Sequence, residues 1–318
     1  MLHHYFFFAF GFVALIAGAQ ALVSGASSIG ARLKVSQMIM GLTVVALGTS
    51  LPELMVNIFA SVHGNSALAL GNILGSNITN TLLVVGASAI IIPVRMSKTT
   101  FFRDIPFSLF VLAVLFLLAN DQIFGRPDSI SRFDALILLA LLGIFIYFTF
   151  FKGHHPEPIL QEPIVILPVG RSVFYIIGGV LGLYFGGDWI VSGALVIARQ
   201  IGISETAMGL TLIAGATSLP ELATSIVASR KNNTDMAMGN VIGSNILNIL
   251  LVLSVTAFIR PIPFSPHLNI EIGLVFLSGI LLMVFAYFGK TKRTLNRTEG
   301  IILVLLYIVF IYFSTQYQ

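Results

Sequence analysis

A thirteen-residue stretch occurs twice in this chain, 168 residues apart. The copies are Gly41-Leu-Thr-Val-Val-Ala-Leu-Gly-Thr-Ser-Leu-Pro-Glu53 and Gly209-Leu-Thr-Leu-Ile-Ala-Gly-Ala-Thr-Ser-Leu-Pro-Glu221. Each lies in an apolar run and carries one carboxylate, one proline and a Thr-Ser pair at the same spacing. A second doubled cluster follows each, Gly71-Asn-Ile-Leu-Gly-Ser-Asn-Ile-Thr-Asn80 and Gly239-Asn-Val-Ile-Gly-Ser-Asn-Ile-Leu-Asn248. Between 41 and 82, 23 of 42 positions match the residue 168 further on. The alignment runs ungapped from about Gly18 to Leu82, and Pro93 still falls on Pro261. Shared membrane composition explains scattered Leu, Ile and Val. It does not explain Thr-Ser-Leu-Pro-Glu and Gly-Ser-Asn-Ile-x-Asn at one fixed offset. The chain is two related halves.

Of the 318 residues, 57% are hydrophobic and only 9% charged, against about 25% charged in a soluble domain. Apolar runs of about twenty residues along the whole length read as a polytopic membrane protein. Ten spans are expected, near 5–30, 37–62, 67–92, 105–120, 132–151, 171–199, 206–229, 235–259, 268–288 and 299–315. The first could pass for a signal-peptide core. However, no positive charge precedes it, it is long for such a core, and it belongs to the repeat. There is no cysteine, hence no disulfide framework and no Cys metal site. The net charge of +4 comes from scattered loop residues and carries no nucleic-acid signal.

Those basic residues instead orient the chain. With the N-terminus outside, the loops expected inside hold 13 Lys and Arg and those outside hold 4. Both termini are therefore expected to face outward. Five spans per half is odd, so the second half enters the membrane from the opposite side. The expected fold is all-α, a polytopic membrane protein of ten transmembrane helices in two inverted five-helix repeats. The repeats are expected at 1–151 and 171–318, joined by a proline-rich linker at 152–170. Halves of inverted topology are a transporter architecture, with substrate sites near the midplane where the repeats meet.

Glu53, Glu221 and Asp188 read as the deep acids. A carboxylate at the bilayer centre costs at least about 2.5–3.5 kcal/mol on insertion scales, so two at equivalent positions mark a function. Pro52 and Pro220 lack an N–H and are expected to free the carbonyls of Gly48 and Ala216 and disturb those of Ala46 and Ala214. Irregular backbone at membrane depth is tolerated only where it is buried or lines a cavity. Carbonyls, carboxylates and Thr hydroxyls are hard oxygen ligands, suited to Ca²⁺ or Na⁺. Thr49 with Glu53, and Thr217 with Glu221, are four apart and share a helix face if the turn persists. Asn72, Ser76 and Asn80 form a stripe, as do Asn240, Ser244 and Asn248. Gly71 with Gly75, and Gly239 with Gly243, permit close helix approach beside those stripes. Asn77 and Asn245 point away from the stripes and read as structural.

Two carboxylates balance one Ca²⁺, or two Na⁺ with a third adding net positive charge. An empty site would leave two anions facing each other in low dielectric, so crossing empty is disfavoured and exchange is favoured over uniport. Proton binding could discharge the same site. Asp188 falls opposite Gln20 in the repeat and reads as a polar packing residue or as one at a water-lined edge. Trp189 reads as an interface or packing residue. His63, His154, His155 and His267 lie in loops without metal-site spacing.

The two repeats resemble the alpha-repeats of the cation/calcium exchanger superfamily, most closely the prokaryotic sodium/calcium exchangers. Gly-Thr-Ser-Leu-Pro-Glu at 48–53 and Gly-Asn-x-x-Gly-Ser-Asn-Ile-x-Asn at 71–80 carry the likeness, and both recur in the second half. The resemblance implies midplane cation sites, one used by Ca²⁺ and the rest by Na⁺. It implies that Glu53, Thr49, Glu221 and Thr217 hold Ca²⁺, the two threonines through backbone carbonyls. It implies that Ser76, Ser244 and the Ala46 and Ala214 carbonyls complete Na⁺ sites, with Asn80 and Asn248 lining the centre. It also implies that the first and sixth helices slide across the others. Two residues depart from the pattern. Asn248 stands where some members carry Asp, and Ala216 stands where Gly is expected before Thr217.

The function expected is Na⁺/Ca²⁺ antiport in the plasma (inner) membrane of a prokaryote, with no cofactor and no protein partner. The alternative is a Ca²⁺/H⁺ or K⁺-dependent antiporter. A channel would need no counter-ion. An intramembrane hydrolase lacks support, since neither His-Glu-x-x-His nor Gly-x-Ser-x-Gly occurs.

Overall fold

The computed structural model describes residues 2–63, 66–121, 127–151, 164–200, 214–289 and 291–316. The first half comprises α1 (Leu2–Leu33), α2 (Gln37–Thr49), α3 (Leu51–Val62), α4 (66–91), β1 (Val94–Arg95), α5 (Thr100–Ala119), β2 (Ser129–Ile130) and α6 (Arg132–Phe151). The second repeats this order. It runs through α7 (Val169–Gln200), α8 (Ala214–Thr217), α9 (Leu219–Arg230), α10 (Thr234–Ile259), β3 (Ile262–Pro263), α11 (Leu268–Phe288), β4 (Thr294–Leu295) and α12 (Arg297–Gln316).

Eight of these helices are long and apolar enough to cross a membrane, and α2 with α3 forms a further span bent by 44°. The tenth expected span, 206–229, lies outside the described residues as far as 213. Its described part is α8 and α9, which reproduce the end of α2 and the whole of α3. The expected all-α membrane fold is what the chain adopts.

The two short strand pairs reveal the inversion. β1 pairs antiparallel with β4, Val94 opposite Leu295, and β2 pairs with β3, Ile130 opposite Ile262. Between β3 and β4 runs α11, whose 21 residues reach about 32 Å, enough to cross the hydrocarbon layer. The two strand pairs therefore sit at opposite membrane faces. Val94 and Ile262 are 168 residues apart, so equivalent loops of the two halves lie on opposite sides.

Burial sorts the helices. The spans in α4 and α10 are each 78% buried, while the other six single-helix spans are 11–33% buried. α4 and α10 therefore form the centre, and the rest surround it with lipid-suited apolar faces. The bent α2 crosses α10 with backbones in contact. A Cβ on Gly239 would lie 2.6 Å from the Met38 carbonyl, and one on Gly243 would lie 2.7 Å from that of Leu42. The expected close approach at Gly239 and Gly243 is thus present. Gly71 has no such neighbour among the described residues, and the stretch equivalent to Met38–Leu42 falls at 206–210, outside them.

α1 and α7 pack as an antiparallel pair along a glycine seam. A Cβ on Gly18 would come within 2.7 Å of the Leu183 nitrogen, one on Gly179 within 2.6 Å of the Leu22 nitrogen, and one on Gly186 within 2.6 Å of the Leu15 nitrogen. Small residues let backbones touch where lipid offers no hydrophobic drive for association. Asp188 points away from this seam and is exposed on the helix pair. It lies two residues from Gly186, hence about 200° round the helix. Trp189 packs among Phe7, Phe10 and Phe185, with ring centroids 5.1, 5.6 and 6.1 Å away. At one end of the pair, Lys231 donates to Ser24 Oγ at 2.7 Å, and partial desolvation pushes the lysine pKa down. Overpacking typically costs about 1–3 kcal/mol. Gly18→Leu should therefore lower the thermal unfolding midpoint in detergent, while Gly187→Ala, whose Cβ meets nothing within 4 Å, should leave it unchanged.

Candidate functional site

The site grows from a break in two helices. Ser50 between α2 and α3 has φ −83° and ψ 4°, and Ser218 between α8 and α9 has φ −85° and ψ 1°. Each break falls two residues before the proline. Pro52 and Pro220 therefore stand in the first turn of a new helix, where a missing N–H leaves no gap. This differs from the expected mid-helix disruption. The Ala46 carbonyl, expected to be disturbed, accepts from the Ser50 N–H at 2.9 Å and from Thr49 Oγ1 at 3.2 Å. Glu53 and Glu221 occupy first turns as well, at the positive end of a helix dipole, which favours an anion.

The broken helices meet the polar stripes of the opposite half. Thr49 Oγ1 lies 3.0 Å from Asn240 Oδ1 and 3.4 Å from Ser244 Oγ. In mirror fashion, Thr217 Oγ1 lies 3.2 Å from Asn72 Oδ1 and 3.2 Å from Ser76 Oγ. Each Thr hydroxyl is thus engaged by an Asn and a Ser of the other repeat. Asn240 also donates to the Glu221 carbonyl at 3.3 Å and to Ser225 Oγ at 3.0 Å. Asn57 donates to the Glu53 carbonyl at 2.8 Å. α4 and α10 each widen into a π-helical turn beginning at Asn80 and Asn248, a feature common at functional sites.

Every polar side chain expected to contribute is buried. Thr49, Glu53, Ser76, Asn80, Glu221, Ser244 and Asn248 are fully inaccessible, and Thr217 is 8% exposed. The Ala214 backbone belongs to α8. Glu221 Oε1 accepts from Ser50 at 3.3 Å and Ser244 at 3.2 Å. Among the described residues, five buried oxygens here have no hydrogen-bond partner: both of Glu53, Oε2 of Glu221, Oδ1 of Asn80 and Oδ1 of Asn248. Buried polar atoms are rarely left so. Acceptor oxygens orphaned together fit a hard cation, which takes six to eight oxygens when it is Ca²⁺. No cluster of three His, Cys, Asp or Glu occurs among the described residues, so any cation held here relies on Ser, Thr, Asn and backbone oxygens beside two carboxylates. Sequence reasoning passed over Ser50 as a partner of Glu221, although the repeated Thr-Ser pair was its signal. It also left Asn72 and Asn240 out of the site, where they tie the two halves together.

The chain matches the profile of a family described as sodium/calcium exchanger protein over residues 3–151 and 171–316. It is 38% identical to CaxA of Alkalimonas amylolytica over 95% of each chain. It is 28% identical to the sodium/calcium exchanger MaX1 of Methanosarcina acetivorans, again over 95% of each. A solved structure of the sodium-calcium exchanger NCX_Mj superposes with a TM-score of 0.82 at 32% identity, covering 97% of each chain.

The uneven hydrogen bonding of the two carboxylates has a measurable consequence. Glu221 holds a contact with Ser50 for which Glu53 has no counterpart among the described residues, and a Gln at either position removes a charge that is costly to bury while leaving an amide that still needs partners. In chelator-treated, Na⁺-free detergent solution, Glu53→Gln should raise the unfolding midpoint by a few degrees. Glu221→Gln, which loses two accepted hydrogen bonds, should raise it less or lower it.

Proposed function

The chain belongs to the sodium/calcium exchanger family, and from that premise we propose that it is a secondary antiporter exchanging Na⁺ for Ca²⁺ by alternating access. The family is one of transporters, and the protein is an integral membrane protein. One observation carries the assignment of the site: among the described residues, five oxygens of Glu53, Glu221, Asn80 and Asn248 lie buried and unpartnered. Glu53, Glu221, Thr49 and Thr217 would hold Ca²⁺. Ser76 and Ser244, with the carbonyls of Ala46 and Ala214, would complete Na⁺ sites, and Asn80 and Asn248 would line the centre. Two carboxylates at membrane depth need a counter-charge to cross in either direction. Occupancy by one Ca²⁺ or by several Na⁺ supplies it, and the empty site lacks it. That requirement makes exchange obligatory.

Alternating access in this reading is movement of α1 and α7 as one body past the helices that hold the site. Their glycine seam supports this, because it binds them closely to each other. We take 1–151 and 171–318 as the two repeats and 152–170 as their linker. The excess of Lys and Arg in alternate loops supports termini outside a prokaryotic plasma membrane.

The test is radiolabelled Ca²⁺ uptake into proteoliposomes. Uptake should follow an outward Na⁺ gradient and be absent without one. Uptake following a pH gradient alone would replace Na⁺ by H⁺ as counter-ion. Glu53→Gln and Glu221→Gln should each reduce uptake to background while the protein still elutes as a single species, and near-normal uptake in both would refute the site. Asn248→Asp introduces a group able to take a proton. Exchange in that variant should fall on acidification through neutrality more steeply than in the unmutated protein, and matching pH profiles would place position 248 away from the ions.

A further inference from the structure

The side-chain amide of Asn248 has one oxygen and one NH₂, and only the oxygen can serve a cation. Its orientation follows from a chain of partners that starts at a group with no choice. The backbone carbonyl of Asn245 can only accept. Asn77 Nδ2 lies 3.2 Å from it, so that end of the Asn77 amide is the NH₂. Asn77 Oδ1 is then the other end, and it accepts from Asn248 Nδ2 at 3.0 Å. Asn248 must therefore present Oδ1 on its remaining side, and that atom is buried without a partner. Thr81 Oγ1 donates to the Asn77 carbonyl at 2.8 Å and accepts from Asn245 Nδ2 at 2.9 Å, which ties the same crossing of α4 and α10 again.

The arrangement is not shared by the other half. Neither amide atom of Asn80, the counterpart of Asn248, has a partner among the described residues. Asn245, the counterpart of Asn77, spends its NH₂ on Thr81, and the counterpart of Thr81 is Ile249, which has no hydroxyl.

We infer that Asn77 is a positioning residue that locks the Asn248 amide with its oxygen toward the ions. The inference rests on the site proposed above. An unlocked amide faces the ion with its NH₂ part of the time, and apparent affinity falls by the fraction of molecules wrongly oriented. A carboxylate at position 248 needs no such lock, since both of its ends are oxygen. One of them would even face the Asn77 oxygen, so removing Asn77 there forfeits nothing.

The experiment is a double-mutant cycle read by calorimetric Ca²⁺ binding to the purified full-length protein in Na⁺-free buffer. Ca²⁺ binding by the unmutated chain tests the site itself, and the cycle tests only the lock. Asn77→Leu should weaken binding by about twofold or more when position 248 is unchanged. It should cause no weakening in the Asn248→Asp background. Should Asn77→Leu fail to elute as a single species, Asn77→Ala carries the same comparison. Equal weakening in both backgrounds would mean that Asn77 serves packing alone and would overturn the inference. No weakening in either, or weakening only beside Asn248→Asp, would overturn it too.

Discussion

Two carboxylates that no water can reach set the terms for the rest of this molecule. Neither has a basic side chain beside it. Arg103 and Asp104 form an ion pair, which lies elsewhere. Uncompensated buried charge is among the most expensive features a protein can carry, and lipid surroundings make it worse. The fold meets this with dipoles rather than countercharges. It places Glu53 and Glu221 in first helical turns, surrounds them with hydroxyls and amides, and leaves buried oxygens unpartnered among the described residues.

The threonines beside those carboxylates are engaged from the opposite half in each case. Thr49 meets Asn240 and Ser244, and Thr217 meets Asn72 and Ser76. Neither repeat could assemble its polar cluster alone. Interhelical hydrogen bonds of this type are individually modest in membranes, averaging about 0.6 kcal/mol, but here they also orient ligands. They require helix axes close enough for short side chains to reach. The glycines at 41, 239 and 243 allow that, with α2 backbone lying against α10 backbone. A site made of Ser, Thr and Asn therefore depends on glycines that touch no ion.

Much of this was legible in the chain. A fixed offset of 168 residues predicts two halves, an odd span count predicts their inversion, and the strand pairs at opposite ends of α11 agree. Glu53, Ser76, Asn80 and their counterparts stand out because acids and amides are scarce in apolar runs. The glycine seam was legible at the same offset, Gly11 with Gly179, Gly18 with Gly186 and Gly25 with Gly193. It escaped notice because glycine is common in membrane helices. The exposure of Asp188 was not legible, because a position along the chain does not say which way a helix face turns. The strands are two residues long, too short for any alternating pattern to register. The place of the helix break was also hidden, because proline is compatible both with a kink and with a first turn.

The halves differ in two separate ways, and only one is written in the sequence. Thr81 faces Ile249 across the repeat, so the anchoring of Asn77 and Asn245 is uneven in every conformation. Ser50 and Ser218 are identical residues at identical places, yet Ser50 reaches Glu221 while the buried Ser218 hydroxyl reaches no partner among the described residues. No substitution between those positions explains the difference. The helices are therefore arranged differently around the two carboxylates. Inverted repeats that are alike in sequence and unlike in shape are what a carrier with one open side requires. In the alternating-access reading proposed above, the bonds that differ between identical residues mark the parts able to exchange roles, and the bonds set by unlike residues mark the parts that stay fixed.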